Sequence, residues 1–223
     1  MKRITVLLAE DHMIVREGFR KMLELENDFT IVGEAQDGRK ALALAKKFKP
    51  DVVLMDIAMP LLNGLEAARQ LHKEMPAVRI LMLSAHSDDA YVESASNAGA
   101  VGFLLKQTSA NEVCRAIREV HAGRTFFSHA ITKRLNNQKT TSRDGLKGKK
   151  ASTLTSREAE VLQLIAEGKA NKETASELGI GIKTVEKHRE HLMEKLNIHD
   201  TAGLTRYAIS AGVIESSVQV TII

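Results

Sequence analysis

Over about its first 122 residues, the chain alternates short apolar runs with segments in which apolar residues recur at helical spacing. The apolar runs predict strands, and they are ITVLLA, FTIVGEA, VVLMDI, RILMLSA and GFLLK. The other segments predict helices, and they are MIVREGFRKMLELE, GRKALALAKKF, LEAARQLHKEM, AYVESASNAG and NEVCRAIREVHAG. Five β-α pairs of this length predict an open, doubly wound parallel sheet, because each parallel return needs a crossover and right-handed crossovers dominate.

The pattern changes after Phe127, where the chain becomes rich in Asn, Thr, Ser, Gly and Lys. We predict a linker over residues 126–150, between a first domain at 1–125 and a second at 151–223. Residues 133–150 hold seven basic side chains and one acidic one, whereas residues 151–223 carry a net charge of −2. The overall charge of +4 therefore sits in one short segment. That segment is either a solvated tether or a nonspecific contact to DNA phosphates.

The second domain is predicted to be all-α. The stretch LTSREAEVLQLIAEGKANKETASELGIGIKTVEKHREHLMEKL has the periodicity of three helices with short turns, and TAGLTRYAISAG predicts a fourth. Thr155 and Glu158 fit the capping box that starts a helix. Gly168 and Gly179 are expected to end the first and second of these helices.

Composition excludes some classes of protein. No apolar run approaches the roughly 20 residues that a transmembrane helix needs, and the N-terminus lacks the apolar length and cleavage site of a secretory signal. The single cysteine, Cys114, has no internal disulfide partner and lies on the apolar side of a predicted helix. We therefore expect a cytoplasmic protein with no membrane partner, and Cys114 as a small core residue.

Five polar side chains follow the predicted strands at one edge of the sheet. They are Glu10 and Asp11 after the first strand, Asp56 after the third, Ser84 after the fourth and Lys106 after the fifth. Ligands and chemistry gather at this edge in such folds. Clustered carboxylates repel each other unless a cation lies among them, and Mg²⁺ prefers such oxygen ligands. An Asp carboxylate can also act as a nucleophile toward phosphorus, with Lys106 and Ser84 stabilising the phosphoryl oxygens.

Each of these residues also has a simpler interpretation. Glu10 and Asp11 could cap the following helix, Ser84 could be a turn residue, and Lys106 could extend its amine to solvent from a strand end. Five such residues at one sheet edge favour a functional site.

The motifs AEDH, VVLMDIAMPLLNGLEAAR, MLSAH and GFLLK closely resemble the receiver domain of two-component response regulators, a flavodoxin-like (βα)5 fold. The resemblance implies Asp56 as the phosphoacceptor, and Lys106 and Ser84 as residues that sense the phosphoryl group. Phe103 matches the aromatic switch of the family, although a plain core aromatic remains an alternative. The implied Mg²⁺ ligands are Glu10, Asp11, Asp56 and the backbone carbonyl of Ala58.

The segments LTSREAEVLQLIAEG, NKETASELGI and KTVEKHREHLMEKL resemble the LuxR-type helix-turn-helix, and the domain order resembles the NarL/FixJ class. At about 100° per residue, Val185, Leu192 and Leu196 cluster on one face of the third helix. The outward N-terminal half reaches base edges in such motifs, which selects as candidate readers Lys183, Glu186, Lys187 and Glu190. Residues near helix starts that could hold phosphates are Asn171, Lys172 and Thr184.

Together, the two resemblances imply a transcription factor rather than an enzyme, controlled by phosphorylation of Asp56 by a sensor histidine kinase. The resemblance implies a homodimer on double-stranded DNA after phosphorylation, with RNA polymerase as a further candidate partner. One rival is a phosphatase or phosphotransferase of the same fold, for which the sequence offers no convincing acid/base residue. A second is a constitutive DNA binder, against which the acidic pair, Asp56 and Lys106 argue.

Overall fold

The computed structural model describes residues 3–85, 89–127 and 154–214, and the structural statements below concern these ranges. Internal contacts divide the chain into two units, Met1–Ala151 and Ser152–Ile223, and each is described by itself. From residue 128 onward the predicted linker lies outside the described residues, so its extent stays a prediction.

The first unit alternates strands and helices as predicted. Its strands are β1 (Ile4–Ala9), β2 (Phe29–Ala35), β3 (Val52–Asp56), β4 (Arg79–Ser84) and β5 (Gly102–Leu105). Its helices are α1 (Met13–Glu24), α2 (Gly38–Phe48), α3 (Gly64–Glu74), α4 (Asp89–Asn97) and α5 (Ala110–His121). The strands form one parallel sheet in the order β2-β1-β3-β4-β5, which confirms the predicted fold class. The predicted ends of the strands and helices differ from these bounds by no more than two residues.

The apolar runs are continuous because the central strands are covered on both faces. Alternate residues of β3 enter different cores: Val53 and Met55 pack with the side of the sheet covered by α2, α3 and α4, and Val52 and Leu54 with the side covered by α1 and α5. Every residue of β3 is buried. Asp56 is therefore carried to the sheet edge by a strand that has no solvent-facing side.

The loop after β3 passes close to the end of the strand. Ile57 donates its backbone N–H to the carbonyl of Leu83 at 3.1 Å, and Gly64 donates to the carbonyl of Ile57 at 2.8 Å. A Cβ on Gly64 would overlap the backbone carbonyl oxygen of Asp56, so only glycine permits this approach. The loop and Asp56 are thus held together by backbone contacts.

The sheet contacts continue slightly past the predicted end of the first domain. Phe126 donates to the carbonyl of Val101 at 2.9 Å and accepts from the amide of Phe103 at 2.9 Å. Its side chain packs against the core beneath α1 and α5. Phe126, predicted to begin the linker, is hydrogen-bonded to the edge of the sheet.

The described part of the second unit consists of α6 (Ser156–Ala166), α7 (Asn171–Leu178), α8 (Ile182–Leu196) and α9 (Thr201–Ser210). The predicted capping box is present, with Thr155 N–H donating to Glu158 at 2.8 Å and Glu158 N–H donating to Thr155 Oγ1 at 3.3 Å. Gly168 and Gly179 have positive φ angles of 83° and 62° where α6 and α7 end. Within the described ranges, none of the helices is both long and apolar enough to cross a membrane.

Candidate functional site

Three carboxylates meet at the carboxyl edge of the sheet, as predicted. Glu10 and Asp11 follow β1, Asp56 ends β3, and the neighbouring His12 begins the turn into α1. Each of these four residues offers a ligand atom, and the four atoms lie within 4.8 Å of one another. The side chains of Glu10 and Asp56 are only 2% and 1% exposed. The cluster therefore concentrates negative charge where water screens it poorly.

Lys106 brings a positive charge into contact with this cluster. Its Nζ lies 2.9 Å from Glu10 Oε1 and 2.9 Å from Asp56 Oδ2, with the lysine side chain 14% exposed. Burial lowers the pKa of Lys106, but the carboxylates of Asp56 and Glu10 raise it by a larger amount, so this pKa lies above its ordinary value. Lys106 is therefore held as a cation between two carboxylates.

Ionisation of Asp56 is nonetheless unfavourable in this site. Burial, followed by the repulsion of Glu10, raises the pKa of Asp56 to about 7, although Lys106 opposes the shift. Asp11 adds a smaller repulsion in the same direction. One ammonium group is thus too little positive charge for this site at neutral pH.

Some carboxylate oxygens have no hydrogen-bond donor. Among the described residues, the buried Glu10 Oε2 and Asp56 Oδ1 accept no hydrogen bond. Buried carboxylate oxygens are normally satisfied by donors or by a metal ion. Their oxygen chemistry, their small separation and the raised pKa of Asp56 fit a divalent cation at this position.

The remaining predicted residues of the first unit are Ser84, the switch residue Phe103 and the metal ligand Ala58. Ser84 is buried at the end of β4, and its backbone carbonyl accepts the N–H of Lys106 at 2.8 Å. Phe103 is 8% exposed and belongs to the core beneath α3 and α4. Ala58 is half-buried in the loop after β3. The roles assigned to these residues stay predictions.

Sequence reasoning did not single out Arg16, which supports the acidic pair from α1. Its buried guanidinium donates from Nη1 to the carbonyl oxygen of Glu10 at 2.7 Å and to that of Asp11 at 3.3 Å. Arg16 Nε also donates to Glu34 of β2 at 3.2 Å. The helical spacing of α1 predicts an inward side chain at this position, but the carbonyl contacts are visible only in three dimensions.

The second unit presents a charged helix face. On α8, Val185 and Leu192 are fully buried, whereas His188 and Arg189 are half-buried at the flanks. Exposed positions include all the predicted base readers and Thr184: Lys183, Thr184, Glu186, Lys187 and Glu190. The predicted orientation of this helix is confirmed, and base contact by these residues stays a prediction.

Asn171 and Lys172 occupy the start of α7. Lys172 is exposed, while the half-buried Asn171 accepts from Arg189 Nη1 at 3.3 Å. Arg189 Nη2 also donates to Thr201 Oγ1 at 2.7 Å. Arg189, which the sequence did not identify as a candidate, therefore joins α8 to the starts of α7 and α9.

Comparison with known proteins gives a consistent result for both units. Residues 6–118 match the response regulator receiver domain, and residues 152–208 match the luxR family of bacterial regulatory proteins. The transcriptional regulatory protein MctR of Rhizobium johnstonii is 38% identical over 95% of this chain and 96% of its own. DegU of Brevibacillus brevis is 36% identical over 89% of each chain. A structure of two RcsB dimers bound to two parallel DNAs is 26% identical, with a TM-score of 0.56 over 94% of this chain and 99% of that one.

Proposed function

The chain belongs to the response regulators that combine a receiver domain with a LuxR-type DNA-binding domain, and on that premise we propose that phosphorylation of Asp56 controls transcription through the second unit. The observation that carries this proposal is the buried Asp56 carboxylate. One of its oxygens is 2.9 Å from Lys106 Nζ, and the other accepts no hydrogen bond among the described residues. That second oxygen is available to attack phosphorus.

The proposed reaction transfers a phosphoryl group from a sensor histidine kinase to Asp56. A bond forms between a carboxylate oxygen of Asp56 and phosphorus, the P–N bond of the kinase phosphohistidine breaks, and its electron pair stays on the imidazole nitrogen. Lys106, held beside Asp56, would pair with a phosphoryl oxygen, and the Ser84 hydroxyl would donate a hydrogen bond to another. No small substrate is turned over in this scheme.

The residues that would hold the cation are Glu10, Asp11 and Asp56, together with the carbonyl oxygen of Ala58. Mg²⁺ is the proposed ion because the donor set consists of oxygens. When bound, it would neutralise charge on the carboxylates and on the phosphoryl oxygens. Bound Mg²⁺ would also lower the pKa of Asp56 from its value of about 7, which favours the nucleophilic, ionised form.

Phosphorylation would draw Ser84 toward the phosphoryl group and alter the surface of α4, β5 and α5, with Phe103 as the core aromatic that moves. We propose that this change favours a homodimer on an inverted-repeat DNA site, with α9 supplying dimer contacts. The similar RcsB structure, in which two dimers are bound to two parallel DNAs, supports this proposal. The site of action is then the cytoplasm, where a sensor kinase and RNA polymerase are the further partners.

The proposed DNA interface is the exposed N-terminal half of α8. Lys183 and Lys187 can donate to guanine, and Glu186 and Glu190 can accept from cytosine. Asn171, Lys172 and Thr184 would contact phosphates near helix starts. Lys187→Ala should therefore alter sequence preference, while Lys172→Ala should weaken binding to all sequences alike.

The phosphorylation test uses acetyl phosphate and the full-length protein. We expect a magnesium-dependent adduct that is stable in acid and labile in alkali, and that is absent from Asp56→Asn. An undiminished adduct in that variant would move the acceptor elsewhere. Sustained hydrolysis of a small phosphoester would favour the rival enzyme.

The DNA test first selects bound sequences from genomic DNA and then measures their affinity by fluorescence anisotropy. Phosphorylation should tighten binding of the wild-type protein but not of Asp56→Asn. Equal affinity with and without the phosphodonor would instead support a constitutive DNA binder.

A further inference from the structure

His12 directs an imidazole nitrogen at the acidic cluster. Its Nδ1 lies 2.8 Å from Asp11 Oδ1 and 3.1 Å from Glu10 Oε1, and its backbone N–H donates to Glu10 Oε1 at 3.2 Å. The side chain is 60% exposed, so the ring borders the solvent side of the cluster. An ion entering from water would meet this nitrogen beside the buried carboxylates.

The spacing of these atoms suits ligands that share one cation. Cations such as Mg²⁺ and Zn²⁺ have ligand distances of about 2.0–2.2 Å, which place neighbouring octahedral ligands about 3 Å apart. The distances from Nδ1 to the two carboxylates match this value. Independently, Glu10 Oε2 and Asp56 Oδ1 are buried at the same cluster without hydrogen bonds among the described residues.

We propose that His12 supplies a nitrogen ligand to the cation held by Glu10, Asp11 and Asp56, and so adapts this site to transition-metal ions. The inference rests on the proposed function, because the same carboxylates are taken to bind Mg²⁺ there. Imidazole suits ions such as Co²⁺ and Zn²⁺, whereas Mg²⁺ prefers oxygen and retains its waters. His12 therefore increases the affinity for Co²⁺ far more than the affinity for Mg²⁺.

Coordination through Nδ1 requires the neutral ring with its proton on Nε2. The contacts of Nδ1 with Asp11 and Glu10 are then replaced by bonds from all three residues to the ion. In the competing arrangement, His12 remains a hydrogen-bond donor that partly neutralises the carboxylates. Removing such a donor would change the affinities for all divalent ions in the same proportion.

The test measures Mg²⁺ and Co²⁺ binding to the full-length, metal-free protein by isothermal titration calorimetry. His12→Ala and His12→Gln should each lose about tenfold or more in Co²⁺ affinity, since loss of metal-supporting contacts commonly costs 10–100-fold. Their Mg²⁺ affinity should change less than about twofold. His121→Ala removes an exposed histidine of α5 and is the matched control, which should leave both affinities unchanged.

A spectroscopic readout identifies the ligand directly. Co²⁺ bound through Nδ1 should produce a strongly shifted, exchangeable Nε2–H proton signal in nuclear magnetic resonance spectra, and His12→Gln should abolish it. An unchanged ratio of Co²⁺ to Mg²⁺ affinity in both His12 variants would overturn the inference. Failure of the proposed cation site is distinguishable, because Asp11→Asn would then leave Mg²⁺ affinity unaltered.

Discussion

Replacing Asp56 with asparagine should stabilise the first unit at and above neutral pH in the absence of divalent cations. The substitution keeps the shape of the side chain but removes a buried negative charge that Glu10 and Asp11 repel. Lys106 also lies 2.9 Å from Glu10, so the change leaves this cation with one carboxylate partner. Loss of the charge should therefore outweigh loss of one ion pair.

The magnitude follows from the pKa of Asp56, which the fold raises from 3.8 to about 7. Because the native state holds a proton that the unfolded state releases, the free energy of unfolding falls as pH rises from about 4 to about 7. A shift of about three units corresponds to at most about 4 kcal/mol. Allowing for the lost contact with Lys106, we expect the free energy of unfolding of Asp56→Asn to exceed that of its parent by about 2–4 kcal/mol at pH 8.

The assay is urea denaturation from pH 4 to pH 8 with a chelator present. The chain has two tyrosines and no tryptophan, so in a Tyr207→Phe background the fluorescence of Tyr91 reports on the first unit alone. The difference in unfolding free energy between Asp56→Asn and its parent should grow with pH and level off above about pH 7. Mg²⁺ should stabilise the parent and narrow that difference.

Asp51→Asn provides the control at the opposite end of β3. Asp51 Oδ2 accepts from the backbone N–H of Thr5 at 2.8 Å and from its hydroxyl at 2.7 Å, so this substitution should destabilise the unit. A difference between Asp56→Asn and its parent that is constant across the pH range would refute the reasoning, because it could not arise from the titration of Asp56.

Three further substitutions test how the site and its neighbours are held. Gly64→Ala should destabilise the first unit by more than about 2 kcal/mol, because the added Cβ would overlap a backbone carbonyl. Gly18→Ala, at an exposed position in α1, should instead stabilise this unit by about 0.5–1 kcal/mol. Urea denaturation measures both effects. Arg16→Met should lower the free energy of unfolding by about 2–4 kcal/mol in the same assay, because it leaves two carbonyl groups and Glu34 without their buried cation. Arg20→Met removes a more exposed side chain and should lower the same free energy by less than about 1 kcal/mol. Thr174→Val should increase the free energy of unfolding of the second unit by about 1 kcal/mol, because the fully buried Oγ1 accepts and donates no hydrogen bond among the described residues. Calorimetry should show this as a higher thermal midpoint, and an unchanged midpoint would show that the hydroxyl is satisfied.

The sequence alone determined the layout of the first unit. Its strands are apolar throughout because they are buried on both faces, and parallel strands end at one edge, so the gathering of Glu10, Asp11, Asp56 and Lys106 was predictable. The orientation of α8 was predictable for a similar reason, since helical periodicity separates its buried and exposed faces. Both inferences require only the pattern of apolar residues along the chain and the regular geometry of strands and helices.

The tertiary structure decided which atoms meet within that layout. Lys106 contacts Oε1 of Glu10 across 96 residues of sequence, while Oε2 of the same carboxylate accepts no hydrogen bond from any residue that the structure describes. The approach of His12 Nδ1 to the carboxylates and of Arg16 to two carbonyls likewise depends on separations near 3 Å. The periods of strands and helices determine which face of the element a side chain occupies. Burial and packing determine whether that side chain is ionised, which groups it contacts and which of its oxygens accept no hydrogen bond.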